Sequence, residues 1–195
     1  MNNKEKYLLK EIRLAEIICK KAFFQGNFTL SSGVNSEYYL DLRNITLNPE
    51  GISLITDIIY NKIPKNIDLI GGPELSAVPI ISTLIKKCYE KKRNMFGFIF
   101  RDRPKPYGMM KMIEGIIPYR PNVMIVDDIT TSGNSILKTI EYIEQIGCKV
   151  ELVMVVVDRG GKKKIKDKGY EFKSVFYYET LLNDYRDIYN DWFYW

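Results

Sequence analysis

The chain has 195 residues, of which 46% are hydrophobic and 27% charged, ordinary values for one globular α/β domain with a sizeable core. There is no histidine, and Cys19, Cys88 and Cys148 are widely separated, so no zinc-ligand spacing exists. No stretch approaches the ~20 apolar residues of a membrane span. The opening M-N-N-K-E-K-Y lacks the apolar core of a signal peptide. With thiols expected to stay reduced, a cytoplasmic location is expected. The net charge of +5 is modest. Basic runs at 86–93 and 162–168 could bind nucleic acid, but a solvated helix face or loop is the commoner explanation. No repeat or low-complexity linker divides the chain, which predicts a single domain over 1–195.

Apolar positions at Leu8, Ile12, Ala15, Ile18, Cys19 and Ala22 predict a helix over about 4–24. Two short alternating segments, 28–30 and 38–42, flank a Ser-Ser-Gly turn and predict a hairpin beside the main sheet. Asn48 followed by Pro49 reads as an N-cap and first turn, opening a helix to about residue 62. A strand at 67–70 ends in Gly71-Gly72-Pro73, and a helix follows at 77–90. A strand at 95–100 leads to 101–115, which has little periodicity and predicts a long flexible loop. Next come a strand at 123–126, a helix at 136–146, a long apolar strand at 150–157, a helix at 164–169 and a strand at 172–177. This alternation predicts a parallel sheet with helices on both faces. Ligands of such sheets sit beyond the carboxyl ends of the strands. The loops 71–76, 101–115 and 127–135 should therefore converge on one mouth.

The stretch V-M-I-V-D-D-I-T-T-S-G-N-S, from Val123 to Ser135, carries the chemistry. A buried strand, a small polar loop and a helix start make a place for phosphate, because loop amides and the helix N-terminus present partial positive charge. Gly133 permits close backbone approach, and Thr and Ser hydroxyls add donors. Asp127 and Asp128 would repel phosphate. They must face sugar hydroxyls, a metal or a developing cation.

This stretch resembles the phosphoribosyl-pyrophosphate (PRPP) motif of the type I phosphoribosyltransferases. Other segments resemble the orotate branch of that family. They are F-T-L-S-S-G-V-N-S-E-Y-Y at 28–39, T-L-N-P-E-G at 46–51, the loop positions Arg101, Lys105, Gly108, Glu114 and Gly115, and Asp158-Arg159-Gly160-Gly161. Ordered matches span about residues 8–180.

The resemblance implies a mostly parallel central sheet flanked by helices, with small N-terminal hood elements (about 1–45), a core (about 46–180), a flexible catalytic loop and an aromatic C-terminal tail (about 181–195). It implies transfer of ribose 5-phosphate from PRPP to orotate in pyrimidine nucleotide biosynthesis. Asp127, Asp128, Lys105 and Arg101 would serve catalysis. Thr130, Thr131, Ser132, Gly133, Asn134 and Ser135 would hold the 5′-phosphate. Glu74, Leu75, Ser76, Ala77 and Tyr107 would lie on the pyrophosphate side. Arg159 would pair with the orotate carboxylate, a planar guanidinium against a planar anion, with Thr131, Tyr38 and Tyr39 near the base. Because Tyr38 and Tyr39 alternate faces, one of them is expected to be core. Mg2+ would be bound through PRPP rather than by protein ligands. A homodimer sharing the flexible loop is implied, with no nucleic-acid or membrane partner. The tail D-W-F-Y-W at 191–195 is expected to dock on the body or on a partner chain.

Several positions depart from the family. Asp102 and Arg103 stand where a lysine and an acid are usual, Tyr107 stands for a histidine, and Glu74 adds an acid to the first strand loop. Pro104 and Pro106 stiffen the loop. Each charge change falls where negative charge develops on the leaving pyrophosphate. Three readings therefore stay open: a working orotate enzyme, a phosphoribosyltransferase for another base, and a PRPP-binding regulatory member.

Overall fold

The computed structural model describes residues 3–29, 35–103 and 112–190. In chain order the elements are α1 (Asn3–Lys21), β1 (Phe23–Thr29), β2 (Asn35–Leu40), α2 (Arg43–Thr46), α3 (Pro49–Tyr60), β3 (Leu69–Pro73), α4 (Ala77–Glu90), β4 (Phe96–Phe100), β5 (Ile113–Gly115), β6 (Asn122–Thr130), α5 (Asn134–Gln145), β7 (Lys149–Asp158), α6 (Gly161–Asp167), β8 (Phe172–Tyr177) and α7 (Tyr178–Asn190).

The six-stranded sheet has the order β5-β4-β3-β6-β7-β8. Its strands are parallel except β5, which runs antiparallel to β4. Alternate residues of the central strands feed two cores. Met124, Val126, Leu152, Met154 and Val156 meet α1, α3, α4 and α7 on one face. Val123, Ile125, Val153 and Val155 meet Ile136, Ile140 and Ile143 of α5 and Ile165 of α6 on the other. This is the two-faced α/β arrangement that the alternation predicts. The sheet tolerates no side chain at Gly72, where a Cβ would run into the Val126 carbonyl oxygen. That close approach seats β3 beside β6 just before the two aspartates.

Several local boundaries differ from expectation. Helix α1 stops at Lys21 rather than near residue 24, because Phe23 is buried and pairs with Leu40 as the start of β1. The first hairpin strand is correspondingly longer, with a shift of register between Gln25 and Phe28; its expected turn lies outside the described residues. Strand β6 does not end at Val126. It carries Asp127, Ile129 and Thr130 in register against Val155, Val157 and Asp158, so the two acids are strand residues held by an apolar neighbour. Within the segment expected to be all loop, Ile113 is buried and pairs with Phe100 to form β5. At the C-terminus, residues 178–190 form helix α7, whose Leu181, Leu182 and Tyr185 are buried against the first core. Residues 191–195 lie outside the described part.

Candidate active site

Three strand ends meet at one mouth. The Glu74 amide donates to the Phe100 carbonyl at 2.8 Å, joining the loop after β3 to the end of β4. Arg101 Nη1 lies 3.4 Å from Glu74 and 4.0 Å from Glu114. The Nε of Arg101 is buried with no hydrogen-bond partner among the described residues. Between these loops and α5 lies a cleft of about 210 Å³, lined by Pro73, Glu74, Phe100, Asp102, Ser135 and Lys138. The convergence expected of parallel strand ends is thus present. Lys105 and Tyr107 lie outside the described residues.

Asp127 and Asp128 are 7% and 4% exposed at the end of β6. Their backbone neighbours hold them: the Asp128 amide donates to Asp127 Oδ1 at 2.9 Å, and the Ile129 amide to Asp128 Oδ1 at 2.7 Å. Burial pushes the Asp127 carboxyl well above the usual range, and the negative charge of Asp128 adds to the effect. Burial also raises Asp128, while the Ile129 amide and the Ser76 hydroxyl pull it back. Two carboxyls this buried favour whatever partner brings positive charge or hydroxyl donors.

Beyond the acids, Thr130 is buried while Thr131, Ser132, Asn134 and Ser135 are exposed. Gly133 has φ +74, the left-handed conformation that a tight strand-to-helix turn needs. The loop is backed by α6: a Cβ on Gly133 would sit 3.2 Å from Ile165 Cγ1 and 3.3 Å from the Gly161 oxygen. The Arg159 amide donates to the Thr130 oxygen at 2.8 Å, so the end of β7 is tied to the loop's first residue. Asp158 is buried, and its Oδ1 accepts from the amides of Gly160 (3.0 Å) and Lys162 (3.2 Å), fixing the turn that carries Arg159. The Arg159 guanidinium lies over the Tyr178 ring, 4.2 Å from its centre.

Tyr38 and Tyr39 are both half-buried. Tyr38 packs toward the first core, edge-on to Tyr185 at 5.9 Å, while Tyr39 meets Phe28 at 5.5 Å. Leu75 is 74% exposed and Ala77 fully buried, and from this loop Glu74 lines the cleft.

Two further cations lie at the site. Lys138 Nζ lies 2.5 Å from Asp102 Oδ1 and 3.3 Å from its carbonyl oxygen. The acid that departs from the family pattern is thus paired, and Lys138 holds its carboxyl below the ordinary range. Lys164 Nζ lies 2.5 Å from Asn134 Oδ1, at the end of the loop after β6. The signal for Lys138 was its place one turn after Asn134-Ser135. Lys164 sits in a lysine run with no such marker.

Residues 41–179 match the phosphoribosyl transferase domain family. The orotate phosphoribosyltransferase of Rhodopseudomonas palustris (strain BisB5) is 33% identical over 178 residues, covering 88% of this chain and 95% of that protein. Among solved structures, Mycobacterium tuberculosis H37Rv orotate phosphoribosyltransferase superposes with a TM-score of 0.76 at 29% identity, covering 88% of this chain and 98% of that one. The same protein in complex with PRPP superposes at 0.72 and 28% identity, again over 88% and 98%. The sheet, the paired acids before a glycine loop and these matches over most of the length agree: the chain belongs to the orotate phosphoribosyltransferase family.

Proposed function

We propose that this protein transfers ribose 5-phosphate from PRPP to orotate, giving orotidine 5′-phosphate and pyrophosphate. The observation that carries the reading is the buried pair Asp127–Asp128 placed on β6 directly before the Gly133 loop. The pair takes the ribose hydroxyls, and the loop from Thr130 to Ser135 takes the 5′-phosphate at the start of α5. As the C1–O bond breaks, the sugar gains cationic character, which the carboxylates favour, and pyrophosphate gains negative charge, which Arg101 and Lys105 favour. Arg159 supports a carboxylated base over a purine, because its planar fork suits a planar carboxylate. Tyr38 and Tyr39, on the hairpin, stand on the base side.

Magnesium suits this donor set as a substrate-borne ion. No cluster of three or more acidic, cysteine or histidine side chains that could hold a metal occurs among the described residues. An ion that keeps its waters and takes phosphate oxygens needs no such cage. It would neutralise the pyrophosphate while the chain's own cations orient it. A homodimer sharing the loop around Lys105 and a cytoplasmic location belong to the same proposal.

A second reading, PRPP binding without turnover, has one observation in its favour. Glu74 and Asp102 occupy two of the mouth's cations, Arg101 and Lys138. The test is release of pyrophosphate from orotate plus PRPP with magnesium. Turnover is expected. Thermal stabilisation by PRPP with no turnover at high enzyme concentration would replace the first reading by the second.

A further inference from the structure

Helix α7 begins beside Arg159. Its first residue, Tyr178, is 6% exposed and lies beneath the Arg159 guanidinium at 4.2 Å. The ring does not stand alone. Phe23 of the hairpin lies 5.8 Å from Tyr178 and 4.9 Å from Tyr185, and Tyr185 meets Tyr38 edge-on at 5.9 Å. Arg186, the residue after Tyr185 on α7, lies over Tyr38 at 5.0 Å. Burial pushes the Tyr178 phenol up, while Arg159 and Arg186 both pull it back, so both guanidinium groups act on one ring. The result is a run of packed aromatic rings with an arginine over each end.

Arg159 follows the last residue of β7, where a long side chain would otherwise sample many rotamers. Backbone bonds fix its Cα, through the Thr130 oxygen and the Asp158 turn. Nothing in those bonds fixes the guanidinium plane. A buried aromatic face does, since a guanidinium stacks on a ring and leaves its edge donors free for an in-plane carboxylate. Ordering that side chain before the substrate arrives removes an entropic cost from binding.

We propose that Tyr178 is a positioning residue for base recognition, holding the Arg159 guanidinium flat so that its fork meets the carboxylate of the incoming base. This rests on the reading of Arg159 as the carboxylate's partner. By this inference α7 belongs to the specificity machinery, and the hairpin's Phe23 and Tyr38 brace it.

Steady-state kinetics with orotate and PRPP varied separately test it. Tyr178→Leu should raise KM for orotate about tenfold while KM for PRPP stays within twofold. Tyr178→Phe, which keeps the ring face, should stay close to the parent protein. Arg159→Ala should raise KM for orotate further, and adding Tyr178→Leu to it should cost little more, because the ring then has nothing left to position. If Tyr178→Leu does not fold, Tyr178→Met removes the ring while filling similar volume and is held to the same outcomes. The inference is overturned if removing the ring leaves KM for orotate within twofold, if KM for PRPP rises equally, or if the two substitutions add in full. Failure of the underlying reading looks different: Arg159→Ala alone would leave KM for orotate unchanged.

Discussion

At the scale of single residues, Asp127 combines a structural cost with a chemical use. Its carboxyl is buried beside a second one, and its proton affinity in the folded chain exceeds that in the unfolded chain. Between the two values only the folded state holds the proton, so stability falls as pH rises through that interval. Above it the full cost of the buried charge is present; below the unfolded value, about pH 4, there is none. Asp127→Asn keeps an oxygen to accept the Asp128 amide and removes the charge. The variant should therefore melt higher than the parent at pH 8, and the gap should close toward pH 4. At this chain length each kcal/mol recovered corresponds to about 2–4 °C. Turnover should fall by about 10²-fold or more, because under the proposed function this charge faces the developing cation. Calorimetry across pH 4–8 checks the first part, and a variant less stable than the parent at pH 8 would refute the account of the pair.

At the scale of elements, the β6–loop–α5 unit depends on a turn that only glycine makes freely. Gly133 has φ +74, and its missing side chain faces Ile165 and the Gly161 oxygen. Gly133→Ala should cost about 1–2 kcal/mol from the left-handed backbone, seen as a Tm lower by about 2–8 °C at this size. KM for PRPP should rise with KM for orotate little changed, since under the proposed function the loop holds the phosphate and Arg159 the base. This unit was also the most legible in the sequence, because small and hydroxyl residues after an apolar run mark a phosphate loop. The apolar pattern stops at Val126, where two charges break it, whereas the continuous apolar run of β7 holds those charges in the ladder. Strands as brief as β5 carry too few residues to show any period. Helix α7 carries a signal, Tyr178, Leu181, Leu182 and Tyr185 at helical spacing, which the aromatic residues after it obscure. The contacts Glu74–Arg101, Lys138–Asp102 and Arg159–Tyr178 were not legible, because each joins residues brought close only by the sheet's topology.

At the scale of the whole molecule, the chain closes one face of its sheet with its two ends. Helix α1 and the hairpin arrive first and α7 last, and all pack into the same core. Cys19 of α1 donates its thiol hydrogen to the Leu181 carbonyl of α7 at 3.5 Å, and Phe23 stacks on Tyr185. The face is therefore completed only when the last element docks. Ending the chain at Tyr177 removes Tyr178, Leu181, Leu182 and Tyr185, all buried. Burial of a leucine contributes about 1.5–3 kcal/mol, and each tyrosine ring buries comparable apolar area. Four such side chains together approach the whole stability of a domain, about 5–15 kcal/mol. The shortened chain should lose its cooperative thermal transition, as circular dichroism would record. A shortened chain that melts cooperatively within a few degrees of the parent would mean that α7 only rests on a core complete without it. The same loss takes away the ring beneath Arg159, so under the proposed function the element that completes the fold also supports recognition of the base.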